Sequence, residues 1–231
     1  MYKAVISDLD GTLLSRGHHV TKFTKNVIKE IIKKGINFYI ASGRSYDQIG
    51  YVTEQLEVKI PVIAANGARI FDADGNMIYE KGLSSKAAKA ILGLDYENIA
   101  EGSHLNIFSG NDWIITKGTA QKVYDRISRD VKVDFKEVPK DELKNLDILK
   151  IFYIGDNEQL TNLERAILKI TDDVNVIFVS DYCMEVMAKG ANKGAAAKFL
   201  LEREGLELKD AVAFGDGEND FEMLTMVGKG Y

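Results

Sequence analysis

Residues 4–12 read Ala4-Val5-Ile6-Ser7-Asp8-Leu9-Asp10-Gly11-Thr12. A short apolar run turns abruptly into two acids and a glycine. Ligands of an open α/β sheet gather beyond the carboxyl ends of its strands. Whether residues 4–7 are such a strand therefore decides both the fold and the place to look for chemistry.

The sequence that follows answers as an alternation of helix and strand. Val27, Ile28, Ile31 and Ile32 recur at helical spacing, and Lys33-Lys34-Gly35 reads as a helix end. Asn37-Phe38-Tyr39-Ile40-Ala41 is the next strand, and Ser42-Gly43-Arg44-Ser45 turns into a helix with Ile49, Val52 and Leu56 inward. Pro61-Val62-Ile63-Ala64-Ala65 is a third strand. Strands separated by helices of this length predict a parallel sheet with right-handed crossovers. Their continuous apolar character fits strands buried on both faces.

After Ile70-Phe71, Asp72-Ala73-Asp74-Gly75 and Met77-Ile78-Tyr79, which read as a hairpin, the texture changes. From about Leu83 to Met187 the strands are shorter and more alternating. Residues 105–108 and 113–115 form a second hairpin, 149–154 and 174–179 are strands, and a helix carrying Leu160, Leu163, Ile167 and Leu168 lies between those two. This predicts an α+β module inserted into the first domain. The α/β texture then returns, with a helix over 195–206, the strand Ala211-Val212-Ala213-Phe214 and a helix from near Glu218. The expected division is 1–82, 83–187 and 188–231.

The 231 residues are 45% hydrophobic and 28% charged, the balance of a globular protein rather than a disordered one. Acids number 35 and bases 30, so the formal net charge of −5 argues against a nucleic-acid partner. One cysteine, Cys183, excludes an internal disulfide. No apolar run is long enough to span a bilayer and the start does not read as a signal peptide, so the expected address is the cytoplasm and no membrane partner is expected. A monomer or weak homodimer is expected.

Four polar clusters follow apolar runs or open helices: Asp8-Leu9-Asp10-Gly11-Thr12, Ser42-Gly43-Arg44, Lys193-Gly194, and Gly215-Asp216-Gly217-Glu218-Asn219-Asp220. Taken singly, each has an ordinary structural reading as a turn, a helix cap, a solvent-facing lysine or a polar loop. Together they make a coherent chemistry. A carboxylate at a strand end attacks a phosphorus centre if one is presented to it. A phosphate beside Asp8 and Asp216 brings the local charge to about −4, and a divalent cation with Lys193 returns about +3. Mg2+ favours oxygen ligands, few carboxylates and the substrate phosphate itself, which Asp8, Asp216 and one backbone carbonyl suit. Ser42 and the amides after it can donate to phosphate oxygens. Asp10 can protonate a leaving alcohol and later activate water. His18, His19 and His104 match no catalytic pattern and read as surface or loop residues.

These residues resemble the haloacid dehalogenase (HAD) superfamily of phosphohydrolases, whose Asp-x-Asp-Gly-Thr pattern is met by Asp8 to Thr12 and whose Gly-Asp-x-x-Asn-Asp pattern is met by Gly215 to Asp220. Ser42 and Lys193 meet the two shorter motifs, and the insertion resembles the large α/β cap of the Cof-type branch. The resemblance implies a Rossmann-like, doubly wound parallel core with an inserted α+β cap. It also implies an Mg2+-dependent phosphomonoesterase that acts on small phosphorylated metabolites such as sugar phosphates. Asp8 would become an aspartyl-phosphate and Asp10 would be the general acid/base. Asp8, Asp10 (through its backbone carbonyl) and Asp216 would hold the metal. The Leu9 amide, Ser42, Gly43, Lys193 and Asn219 would hold the phosphate. Thr12 would help hold Asp10, and Asp220 would orient the metal site or Lys193. Arg44 has two readings, a contact to the leaving group or a helix-start surface residue. Tyr182, Met184, Glu185 and His104 are candidate substrate contacts of the cap, with cap core or surface as the commoner reading.

Chains of this branch continue past the position of Gly228 through a further strand and a closing helix, whereas this sequence stops at Tyr231. The resemblance therefore implies a bare sheet edge after the fourth motif. Two other functions fit the same residues. A sugar phosphomutase would pass the phosphoryl group from Asp8 to a second hydroxyl. A receiver-type switch would merely carry it, but receivers lack a hundred-residue insertion.

Overall fold

The computed structural model describes residues 1–120 and 135–231. Part of the span expected for the cap, residues 121–134, lies outside them. The chain runs β1 (Ala4–Ser7), α1 (Lys22–Lys33), β2 (Asn37–Ala41), α2 (Tyr46–Leu56), β3 (Val62–Ala64), β4 (Arg69–Phe71) and β5 (Met77–Glu80). Next come α3 (Ser85–Leu92), α4 (Tyr96–Ile99), β6 (His104–Ser109), β7 (Asp112–Thr116), β8 (Lys136–Val138), β9 (Lys150–Ile154), α5 (Asn157–Ile170), β10 (Val174–Ser180) and β11 (Cys183–Ala188). It closes with α6 (Lys193–Arg203), β12 (Ala211–Phe214), α7 (Phe221–Met226) and β13 (Lys229–Gly230).

Two compact units result, Met1–Glu80 with Ala191–Tyr231, and Lys81–Gly190. The sequence reading drew these divisions at 82/83 and 187/188.

The first unit is a seven-stranded sheet in the order β13-β12-β1-β2-β3-β4-β5. Its first five strands are parallel, and β4 and β5 add an antiparallel hairpin edge. Alternate residues face opposite sides, as the period of two requires. Ala4, Ile6, Tyr39, Ala41 and Ile63 pack against Ala196, Ala197, Leu200 and Leu201 of α6 and Met223 of α7. Phe38, Ile40, Val62 and Ala64 pack against Ile28 of α1 and Ile49, Val52 and Leu56 of α2. Helices thus cover both faces, which makes the sheet doubly wound. The expected stripe on α1 is only partly inward, because Val27 is exposed. The edge beyond β12 is not bare, since β13 pairs with it in parallel through Val212 and Ala213.

The second unit is a six-stranded, mostly antiparallel sheet in the order β10-β11-β9-β6-β7-β8, with only the β7–β8 pair parallel. Leu105, Ile107, Ile151, Tyr153, Met184 and Val186 of its sheet pack against Ala87 and Ile91 of α3, Tyr96 of α4, and Leu160, Leu163 and Ile167 of α5. Leu168, expected on the inward stripe of α5, is exposed. Met184 is fully buried in this core, the commoner of its two readings, and Glu185, outside that cluster, is buried and ion-paired to Lys150. His104 opens strand β6 rather than lying in a loop. No helix among the described residues is long and apolar enough to cross a membrane.

Candidate active site

Three neighbouring parallel strands, β12, β1 and β2, bring the expected residues to one sheet edge. In register, Ser7 lies opposite both Phe214 of β12 and Ile40 of β2, so Asp8 and Gly215, one residue beyond, and Ser42, two beyond, emerge at the carboxyl ends of neighbouring strands. The Asp8 N–H donates to the Phe214 carbonyl at 2.9 Å, and the Ser42 N–H to the Ile63 carbonyl at 2.9 Å, which extends the ladder into the site.

Gly11 sits at φ +85°. A Cβ there would lie 2.1 Å from Asp216 Oδ2. Both the conformation and the close approach exclude larger residues. The tight turn over Leu9–Leu13 can therefore press against the Gly215–Asp220 loop.

Lys193, the first residue of α6, is 0% exposed and donates to Asp8 Oδ1 and Asp220 Oδ1, each at 2.6 Å. A buried ammonium is tolerable only when paired and hydrogen-bonded, and here two carboxylates hold one lysine. Burial pushes Asp8 up to about 6; the Lys193 charge and hydrogen bond offset part of that push, while Asp220 adds to it. The Leu9 backbone N–H also bonds the Asp8 carboxylate.

Asp220 is fully committed. Its Oδ1 takes Lys193, and its Oδ2 accepts the N–H groups of Asp216 at 3.2 Å and Gly217 at 3.0 Å. It thereby shapes the loop that presents Asp216. Asp216 is exposed, and its Oδ1 accepts from Thr12 Oγ1 at 3.0 Å. Thr12 thus holds Asp216, not Asp10 as expected, because the turn at Gly11 points it toward the fourth cluster.

Asp8, Asp216 and Asp220 can bring one oxygen each within 4.8 Å of one another. Hard oxygen donors of this kind suit a divalent cation. With Asp220 committed elsewhere, Asp8 and Asp216 are the carboxylates left to hold one. The Asp10 carboxylate stands outside that cluster. It is bound by Arg44, through Nε to Oδ2 and Nη2 to Oδ1, while Arg44 Nη1 donates to the Tyr51 hydroxyl. Arg44 is therefore not a solitary surface residue: three of its five N–H groups are held by Asp10 and Tyr51. His18, read as a surface residue, is exposed but places Nδ1 3.7 Å from Asp10 Oδ1.

Ser42 is buried, and its Oγ accepts the Arg44 N–H at 3.2 Å. Gly43 follows it, with the Asn66 side chain against its Cα. Asn219 Nδ2 donates to Asn66 Oδ1 at 2.8 Å.

The chain matches the profile of the haloacid dehalogenase-like hydrolases over residues 5–231. The chain belongs to this family. A Buchnera aphidicola protein named only provisionally as a phosphatase is 36% identical over 238 residues, covering 100% of this chain and 85% of that one. The HMP-PP phosphatase of Escherichia coli is 28% identical over 232 residues, covering 100% of this chain and 84% of its own. A solved HAD subclass IIB sugar phosphatase, 21% identical, shares the fold with a TM-score of 0.82 over 99% of this chain and 86% of its own. This haloacid dehalogenase-like chain is a phosphatase of the Cof type.

The sequence reading missed Asn66, which touches two of the four clusters. The signal was present as Asn66-Gly67, a turn dipeptide directly after an apolar strand.

Proposed function

We propose that this phosphatase hydrolyses small phosphomonoesters, sugar phosphates among them, by way of an aspartyl-phosphate on Asp8. The observation that carries the reading is the fully buried Lys193 between Asp8 and Asp220, with Asp216 beside them. A lysine so placed neutralises part of a carboxylate pair and leaves Asp8 at the strand end facing an incoming anion.

An Asp8 oxygen attacks phosphorus and the bond to the leaving oxygen breaks. Asp10 supplies the proton that makes the leaving group an alcohol. A water molecule then attacks the phosphorus of the aspartyl-phosphate, Asp10 accepts its proton, and the bond to Asp8 breaks to give inorganic phosphate. Ser42, the Leu9 and Gly43 amides, Lys193 and Asn219 supply the donors that hold the phosphoryl oxygens through both steps. Asp8, Asp216 and the Asp10 backbone carbonyl would hold Mg2+, which when bound offsets phosphate charge that the carboxylates would otherwise repel.

The test is release of inorganic phosphate from a panel of phosphomonoesters, with and without Mg2+, for wild type beside Asp8→Asn. Release that needs both Asp8 and Mg2+ is expected. Equal release by the Asn variant would remove Asp8 as nucleophile. Isomerisation without release would transfer the reading to a phosphomutase.

A further inference from the structure

Residues 65–67, directly after β3, are three consecutive left-handed residues: Ala65 at φ 49°, Asn66 at 54° and Gly67 at 92°. Two of them carry side chains, and strain of this kind persists only where the surroundings fix it. The Ala65 N–H donates to the Arg44 carbonyl at 2.8 Å and the Asn66 N–H to the Ser42 carbonyl at 3.0 Å. A Cβ on Gly67 would lie 2.2 Å from the Asn192 carbonyl oxygen, at the residue capping α6 and preceding Lys193. The Asn66 side chain is buried, and its Oδ1 accepts Asn219 Nδ2. One strained turn therefore touches the loop of Ser42, the start of Lys193's helix and the side chain of Asn219.

We infer that Asn66 is a positioning residue that sets the Asn219 amide as a donor toward phosphate. An amide nitrogen carries two N–H groups. With one given to Asn66, the second is available to a phosphate oxygen. With the Asn66 amide as it stands, a flipped Asn219 would set its Oδ1 against Asn66 Oδ1, oxygen to oxygen, so Asn219 can flip only if Asn66 flips with it. Without Asn66 the Asn219 side chain can leave this rotamer as well as flip, so in most of its settings no N–H points where the phosphate needs a donor. The left-handed backbone at residue 66 aims the side chain there, and asparagine is among the few residues that tolerate that conformation.

This inference rests on the phosphatase reading proposed above, so the test includes binding as well as turnover. Asn66→Gly removes the side chain and keeps the left-handed backbone. Circular dichroism establishes that it is folded. Inorganic phosphate is the probe, titrated calorimetrically and as a competitive inhibitor. Loss of a hydrogen bond to a charged group predicts phosphate binding and KM weakened by about ten-fold, with kcat changed much less. Asn219→Ala is expected to show the same loss, and the double variant no further loss. A merely structural role would give losses that add, or a fall in kcat at constant KM, and either result overturns the inference. So does wild-type phosphate affinity in Asn66→Gly. If that variant does not fold, Asn66→Ala deletes the same amide at a left-handed position of the kind Ala65 already occupies. Its effect must then vanish in the Asn219→Ala background, and persistence there overturns the inference. Failure of the phosphatase reading is recognised separately, as a wild type with no Asp8-dependent phosphate release.

Discussion

Arg44 grips both oxygens of the Asp10 carboxylate, Nε to Oδ2 at 2.8 Å and Nη2 to Oδ1 at 2.6 Å. Its remaining nitrogen reaches the Tyr51 hydroxyl at 2.8 Å. A guanidinium fork matched to a carboxylate fixes orientation as well as charge, which a lysine ammonium cannot reproduce. Asp10 must point at a leaving oxygen in one step and at water in the next, so its orientation matters in both. Arg44→Lys is expected to lower kcat by about ten-fold, a part of the ~10²–10⁴-fold attributed to a positioned acid/base, and to leave KM little changed. Steady-state kinetics on any accepted phosphomonoester checks this. A rise in KM alone would return Arg44 to the leaving-group contact considered from sequence.

Asp8 carries a cost that its replacement should remove. Two carboxylates share one buried lysine, and burial raises Asp8 to about 6. An ordinary aspartate titrates near ~3.9, so the folded state holds this proton more tightly than the unfolded chain. Stability therefore falls as pH rises from about 4 to about 6, and the full penalty stands above that range. In metal-free protein, Asp8→Asn is expected to raise Tm by several degrees at neutral pH. The gain should shrink as pH drops through about 6 and disappear near about 4. Calorimetry across that range in a chelating buffer is the measurement, and an Asn variant no more stable than wild type at neutral pH would contradict it. An inactive but more stable variant is the usual outcome where an active site stores unfavourable charge.

Thr12 supports Asp216 through a single hydrogen bond from Oγ1 to Oδ1. Threonine to valine keeps the shape and deletes the donor. Groups that orient a metal-binding carboxylate typically matter by ~10–100-fold in metal affinity or activity. Thr12→Val is expected to raise the Mg2+ concentration for half-maximal activity by about ten-fold, with kcat largely recovered at saturating Mg2+. A kcat loss that high Mg2+ leaves untouched would count against Thr12 acting through Asp216.

How much of this the sequence disclosed depended on the range of the signal. Asn37–Ala41 and Val62–Ala64 are strands as read, because buried parallel strands are continuous apolar runs. The hairpin at Asp72–Gly75 was legible from its turn residues. Strand β11 escaped notice. Cys183-Met184-Glu185-Val186-Met187 mixes an acid and methionines, and its strand character comes from pairing on both sides with β10 and β9. Glu185 is buried there with Lys150, distant in sequence, paired to it. The site divides in the same way. Asp8, Asp10, Ser42, Lys193 and Asp216 stood out because each follows a strand or opens a helix. The partners of Thr12, Arg44 and Asn66 are set by packing between distant loops, which no local spacing records.

Cys183 supplies a prediction that does not depend on catalysis. Burial pushes its thiol up to about 12, and the Glu185 charge adds to the push while Lys150 opposes it. The thiolate is the reacting form, so at pH 8 its population falls by more than ~10³ from that of an ordinary thiol with pKa near ~8.5. A more basic thiolate is also more nucleophilic, which returns part of the loss, with a Brønsted slope of about 0.4–0.5. The net expectation is alkylation by iodoacetamide roughly 10²-fold slower in the folded protein than in urea at pH 8. The pH dependence gives the sharper check. Below its pKa the folded thiol's rate should keep rising about ten-fold per pH unit from pH 8 to pH 10, whereas the unfolded thiol levels off above about 8.5. Mass spectrometry of timed samples reads both. A folded-state rate that levels off with the unfolded one would mean that Cys183 titrates as an exposed thiol and that the sheet around Glu185 and Lys150 opens to solvent.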